Sequence, residues 1–366
     1  MSRTPLFIGS EVYRTTNQRA GHPLGIPRVS LATDLCRILG WLDETNFVDS
    51  PRATKADLVD FHSADYIDAV ELAEKSGEVE EFEAQRYNIG VNGNPIFQGM
   101  YGRPATACGG GLWAAKHLSS EGGVFYNIGG GQHHGRSDRA SGFCYFNEPV
   151  LTIRALLNQG VERVFYLDFD AHQGDGVQDA FAEEPRVFTL SIHEVGRWPM
   201  NRNPRPGSLG TIEDGGPAHR NFAVMPGFND TEFEYIMGEA VFPLLEDFRP
   251  QVLYCQSGCD ALADDPQSKL QLSNRAIWRC IAMIRDTIPN LLVAGGGGYN
   301  PYAVGRCWAG VWAALNGFDI PESLPKEAKA LMSGIKWDHR LGRIPATRWL
   351  STIADSPNPG PIRNDT

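Results

Sequence analysis

The sequence predicts one α/β domain, an open parallel sheet with helices on both faces. Three observations lead there. Short apolar runs alternate with helically spaced ones over most of the 366 residues, the order that builds a parallel sheet covered on both sides. The segments following those runs hold nearly every unusual polar residue, as expected where such a sheet binds ligands at its strand carboxyl ends. No linker, repeat or low-complexity block interrupts the chain before residue 355. One domain over 1–354 is therefore expected, with 355–366, rich in Pro, Asn and Gly, as a flexible tail.

Taken in order, Pro5 to Gly9 is a short apolar run of strand type. Helical spacing predicts helices over Arg28–Leu42 and Asp57–Ala73. The acidic run SGEVEEFE, 76–83, reads as a solvated face, and Asn88–Pro104 as a surface loop. A helix over Thr106–Leu118 and a strand over Gly123–Ile128 follow. Beyond Gly160 the strands are Val164–Leu167, Val187–Ile192, Phe222–Val224, Val252–Tyr254 and Leu291–Ala294. Helices fit Pro149–Leu157, Glu232–Phe248, Asn274–Thr287 and Ala303–Leu315.

Composition narrows the function. No apolar run is long enough to span a membrane, and MSRTPLFIGSEVYR lacks the apolar core of a signal peptide. A cytoplasmic protein is expected. The formal charge of −11 argues against a nucleic-acid surface and suits cationic substrates. Seven scattered cysteines without a CxxC pair read as reduced core thiols.

The chemistry centres on RVFYLDFDAHQGDG, 163–176, where a buried strand runs into Asp168, Asp170, His172 and Asp175. Unpaired charge at the end of an interior strand is costly. Asp170 and His172, two apart, can share a face and hold zinc or a similar divalent ion. Asp260 in SGCDALADDP is either a third ligand or a helix N-cap. His133 and His134 in GGGQHHG are either satisfied surface histidines or an acid–base pair oriented by Asp168 and Asp175. Tyr299, after four glycines, is either structural or a donor to a developing oxyanion. Phe143 and Trp198 fit a channel wall or ordinary core.

GGGQHHGRSDRASGFCYFNEP, YLDFDAHQGDGVQDAF, LSIHE, QSGCDALADDP and GGGGYNP, in this order and spacing, resemble the histone deacetylase superfamily, its bacterial acetoin-utilisation-type members included. The resemblance spans about Gly21–Leu315. It implies the arginase–deacetylase fold and a zinc-dependent amidohydrolase, with ferrous iron or another divalent ion as the alternative metal, acting on an acylated lysine or amine. By position, Asp170, His172 and Asp260 match the metal ligands. His133 and His134 match the paired histidines, Asp168 and Asp175 their carboxylates, and Tyr299 the carbonyl-polarising tyrosine. Gly142, Phe143, Trp198 and Gln267 match the substrate tunnel, and Arg28 the arginine of an acetate channel. Asp168, His172 and Ser191 match contributors to a structural potassium site.

Two positions depart from class I relatives. Gly102 stands where a rim aspartate grips the peptide backbone, and Gln267 is polar where the tunnel wall is usually apolar. An arginase-like ureohydrolase is a second reading. Asp170-Ala171-His172 begins its motif, but Gly174 replaces the carboxylate its second metal needs. A non-catalytic acyl-amine or protein-binding module is a third, although no chemical residue is missing.

Overall fold

Burial on both faces decides the sheet. The computed structural model describes residues 4–15, 21–199, 218–338 and 341–363. Its eight strands are β1 (Leu6–Gly9), β2 (Phe47–Asp49), β3 (Val124–Asn127), β4 (Val164–Asp168), β5 (Val187–Glu194), β6 (His219–Val224), β7 (Val252–Gln256) and β8 (Leu291–Ala294). All pair in parallel, in the order β2-β1-β3-β8-β7-β4-β5-β6. Along β4, Phe165 and Leu167 enter one core while Val164 and Tyr166 enter the other. That is the period-two alternation of a strand covered on both sides.

Helices Val29–Ile38, Asn274–Thr287 and Pro301–Asn316 supply residues to the first core; Gly102–Ser120 and Glu148–Asn158 supply the second. Trp308 and Trp312 on Pro301–Asn316 are fully buried, and their indoles donate to the carbonyls of Ser257 and Trp41. The first of these bonds fastens the segment after β7 to the helix that follows β8.

Several expected boundaries move for identifiable reasons. The helix expected over 57–73 is broken into Lys55–Leu58 and Ala64–Ser76, because His62 turns inward and bonds to Arg136 and Asn147. The acidic run is partly helical, entering Glu81–Tyr87. The loop expected to reach Pro104 ends at Gly102, where Glu74 accepts the Tyr101 and Gly102 N–H groups that open the next helix. Between Ile236 and Phe242 the expected helix contains a π turn, just ahead of Pro243, which cannot donate to the preceding turn. β2, three residues on the sheet edge, was too short to stand out.

The predicted flexible tail needs correction over 355–363. Asp355 pairs with the buried Arg306, Asn358 donates to Asp230 and Gln271, and Arg363 pairs with Glu232. Polar residues that suggest fraying in sequence here satisfy buried partners. Residues 364–366 lie outside the described set. Among the described residues no helix is long and apolar enough to cross a membrane.

Candidate active site

The four central strands, β3-β8-β7-β4, deliver the chemistry from their carboxyl ends, as strand order predicts for an open parallel sheet. After β4 come Asp170 and His172, and after β7 comes Asp260. Ligand atoms of these three residues lie within 4.8 Å of one another. His172 Nδ1 is 3.1 Å from Asp170 Oδ1 and 2.9 Å from Asp260 Oδ2. Asp260 Oδ1 accepts the Ala171 N–H at 2.8 Å, and Asp170 Oδ2 accepts the Gly297 N–H at 2.7 Å. A side chain at Gly297 would strike both carboxylates, its Cβ 2.2 Å from Asp260 Oδ2. Glycine at the end of β8 therefore keeps this space open. Two carboxylates and one imidazole, buried and convergent, fit a divalent cation with positions left for small ligands.

The loop after β3 brings in the histidines. His133 Nδ1 lies 2.8 Å from Asp168 Oδ2, and His134 Nδ1 lies 2.6 Å from Asp175 Oδ1. The two rings are 4.0 Å apart between centroids. Asn147 fixes this loop by donating to the carbonyls of His133 and Gly135. Tyr299 faces His172 and Phe143, with ring centroids 6.4 and 6.2 Å away. One cavity is lined by both histidines, Asp170, Tyr299, Gly142 and Phe143. Phe143 holds φ +69°, a left-handed backbone that costs a bulky residue energy. Gly142 before it leaves room for the His134 ring, since a Cβ there would come within 2.4 Å of Cδ2.

The model for the histone deacetylase domain matches residues 22–315. The chain belongs to the histone deacetylase family. It is 33% identical over 338 residues to the acetoin utilization protein AcuC of Bacillus subtilis (strain 168), covering 89% of this chain and 85% of that one. Human histone deacetylase 1 is 30% identical over 310 residues, 83% of this chain but 63% of the human protein. The chain thus spans about three fifths of that longer relative. The crystal structure of a histone deacetylase homolog from Aquifex aeolicus superposes with a TM-score of 0.91 at 33% identity, covering 99% of this chain and 97% of that one. A homolog complexed with SAHA gives the same TM-score at 34% identity. Membership makes this chain a deacetylase, an amide-cleaving hydrolase, and the family implies a divalent metal at its site.

In this deacetylase cavity, electrostatics separate the paired histidines. Burial alone would depress His133, but Asp168 and Asp170 outweigh it and raise its pKa to about 9. Burial and the neighbouring His133 charge push His134 down to about 4, against the pull of Asp175. A dication among Asp170, His172 and Asp260 would offset part of the pull on His133. Burial, then the charge of Asp170, lifts Asp260 to about 6. Burial and the nearby carboxylates also raise Tyr299, so its phenol keeps its proton at neutral pH.

Other family-matched positions separate. Arg28 lines the cavity and donates to the Gly296 carbonyl at 2.8 Å. Asp168 and Ser191 are register partners on β4 and β5. Trp198 and Gln267 are not among the described residues that line this cavity. Trp198 is 43% exposed beyond the turn after β5, and the Gln267 N–H is tied down to Asp265.

Three supporting residues escaped the sequence reading. Asp265 accepts the Tyr299 N–H at 2.6 Å, Arg136 pairs with Asp175, and the Tyr166 hydroxyl donates to Asp168 at 2.6 Å. Arg136 follows HHG almost directly, and its charge was a usable signal. Nothing local marks Asp265, 34 residues before its partner.

Proposed function

We propose that the chain is a zinc-dependent amidohydrolase that removes an acetyl or similarly short acyl group from a lysine-like or small acylated amine, reading little peptide sequence. The observation that carries this is the meeting of a three-donor metal set, two histidine–aspartate pairs and Tyr299 in one cavity. When bound, the cation supplies Lewis-acid polarisation of the acyl oxygen and of the attacking water. His134, neutral at pH 7, takes the water proton at Nε2 while Asp175 holds its Nδ1–H. His133, kept protonated by Asp168, supports proton delivery to the leaving amine. The Tyr299 phenol donates to the acyl oxygen as negative charge gathers there. A second metal centre, as a ureohydrolase needs, has no support: the described residues offer one donor cluster, and Gly174 contributes no carboxylate.

The weak peptide reading follows from the mouth. Gly102, expected at the rim, is instead buried at the start of helix Gly102–Ser120 with its N–H on Glu74 and does not line the cavity, whereas His22, Pro95 and Phe97 do and offer no carboxylate to accept peptide N–H groups. We expect kcat/KM for acetyl-lysine inside a histone-tail peptide to be close to that of the minimal blocked amino acid. A ratio above roughly 100, about 2.7 kcal/mol of added transition-state binding, would defeat this substrate assignment. Tyr299→Phe should lower kcat about 100-fold with metal content preserved. Unchanged kcat would return Tyr299 to a structural role.

A further inference from the structure

The segment carrying Phe143 adopts a conformation that its own residues disfavour. Ser141 and Cys144 exchange backbone hydrogen bonds at 3.0 and 2.8 Å, closing a tight turn over Gly142 and Phe143. Both central residues are left-handed, at φ +52° and +69°. Such turns favour Asn, Asp or Gly at these places, and a bulky aromatic there is strained unless its surroundings hold it. The Phe143 N–H takes no part in closing the turn; it donates to Asn94 Oδ1 at 2.9 Å.

Asn94 is fully buried, and each of its other polar groups is engaged as well. Its Nδ2 donates to the Asn88 carbonyl at 3.1 Å, its N–H donates to the Val91 carbonyl at 2.9 Å, and its carbonyl accepts the Gly90 N–H at 2.7 Å. The Asn88 side chain in turn donates to the Ala140 carbonyl, just ahead of the turn, at 2.8 Å. Residues 88–94 thus form a strap across the turn. Gly93 lets the strap close over the ring, since a Cβ there would lie 2.8 Å from Phe143 Cε1. The ring so placed lines the active-site cavity, edge-on to Tyr299. None of these strap contacts involves a metal donor or a catalytic histidine.

We propose that Asn94 is a positioning residue for substrate binding: it holds Phe143 in its left-handed seat, so that the ring walls the cavity beside the aliphatic stem of the acylated amine. The stem rests on the deacetylase reading; the strap does not.

Hydrogen exchange reads the strap without turnover. The Phe143 amide should exchange about tenfold faster or more in Asn94→Ala than in the parent protein, and Asn94→Asp, which keeps the acceptor, should restore part of the protection. Asn94→Leu, which fills the same buried space without an acceptor, serves in place of Asn94→Ala if that variant does not fold. Octanohydroxamate, whose chain reaches the wall, should bind the metal-loaded Asn94→Ala protein about tenfold more weakly than the parent, whereas acetohydroxamate, which has no stem, should bind as before. KM for ε-acetyl-lysine should rise about tenfold while kcat changes less than about threefold. In a Phe143→Ala background the same substitution should add little to either loss. Unchanged exchange, equal weakening of the two hydroxamates, a parent protein that does not prefer octanohydroxamate, or losses that persist in Phe143→Ala would overturn the proposal. A parent protein that hydrolyses no acyl amide would instead defeat the hydrolase reading, and exchange and hydroxamate binding would then decide the role of Asn94.

Discussion

His133 and His134 are adjacent in sequence, and each ring nitrogen Nδ1 meets an aspartate, yet they stand in different surroundings. Behind His133, Asp168 is sealed in the sheet, its remaining partners the Tyr166 hydroxyl and the Asp170 N–H. Behind His134, Asp175 opens a helix and shares its charge with Arg136, which reaches on to Asp179 toward solvent. At the inner imidazole Asp168 and Asp170 outweigh burial and raise the pKa, a pull that a dication on Asp170 would offset in part. At the outer imidazole burial comes first and the neighbouring His133 charge adds to it, against the pull of Asp175. Like dyads are thus shifted in opposite directions by their surroundings.

The sharpest way to break this comparison is to remove each ring. His134→Ala should lower kcat/KM about 1,000-fold at neutral pH, and His133→Ala roughly tenfold less severely, since a general base is worth about 10²–10⁴-fold. The reverse ranking in steady-state assays would exchange the two roles. Arg136→Ala tests the outer surroundings with a smaller effect, less than about tenfold at pH 7. Without the arginine, Asp175 pulls harder on His134 and raises its pKa. The acidic limb of the kcat/KM profile, where the base is lost to protonation, should therefore move to higher pH. A limb that stays in place would show that Arg136 does not tune the pair.

A third effect is on stability. His62 holds the segment carrying both pairs: its Nε2 accepts the Asn147 N–H, so the ring is the neutral tautomer that donates from Nδ1 to the Arg136 carbonyl. Burial lowers His62 from 6.5 to about 4. The unfolded chain then takes up the proton first as pH falls, so the stability contribution is complete above pH 6.5 and is lost toward pH 4. That loss is on the order of 3 kcal/mol at most. Urea midpoints between pH 7.5 and 5 should fall less steeply in His62→Gln than in the parent protein. Equal slopes would remove His62 from the titration.

The sheet and most of its reactive strand ends were legible because β4, β7 and β8 are buried on both faces and therefore read as largely apolar runs. Asp170, His172 and Asp260 could be paired because each follows such a run. Features set by distant partners could not be read in the same way. His62 breaks a helix for the sake of Arg136 and Asn147, and Asp265 matters only because Tyr299 folds against it. Arg306, fully buried, gives the C-terminal segment an ionic anchor that composition alone hides.

The strand order has a consequence for how the protein is made. β8 is the last strand in sequence but lies between β3 and β7. Taking it away divides the strand order into two pieces, β2-β1-β3 and β7-β4-β5-β6, each with an unpaired edge. A chain that lacks β8 therefore leaves the β3 and β7 edges without their partner. β8 is also the strand that carries Gly297 and Tyr299 to Asp170 and Asp260. Contacts this far apart in sequence form slowly relative to local ones. A chain that ends before β8 lacks Gly297 and Tyr299 as well as the central strand, and so has no complete site with which to cleave anything.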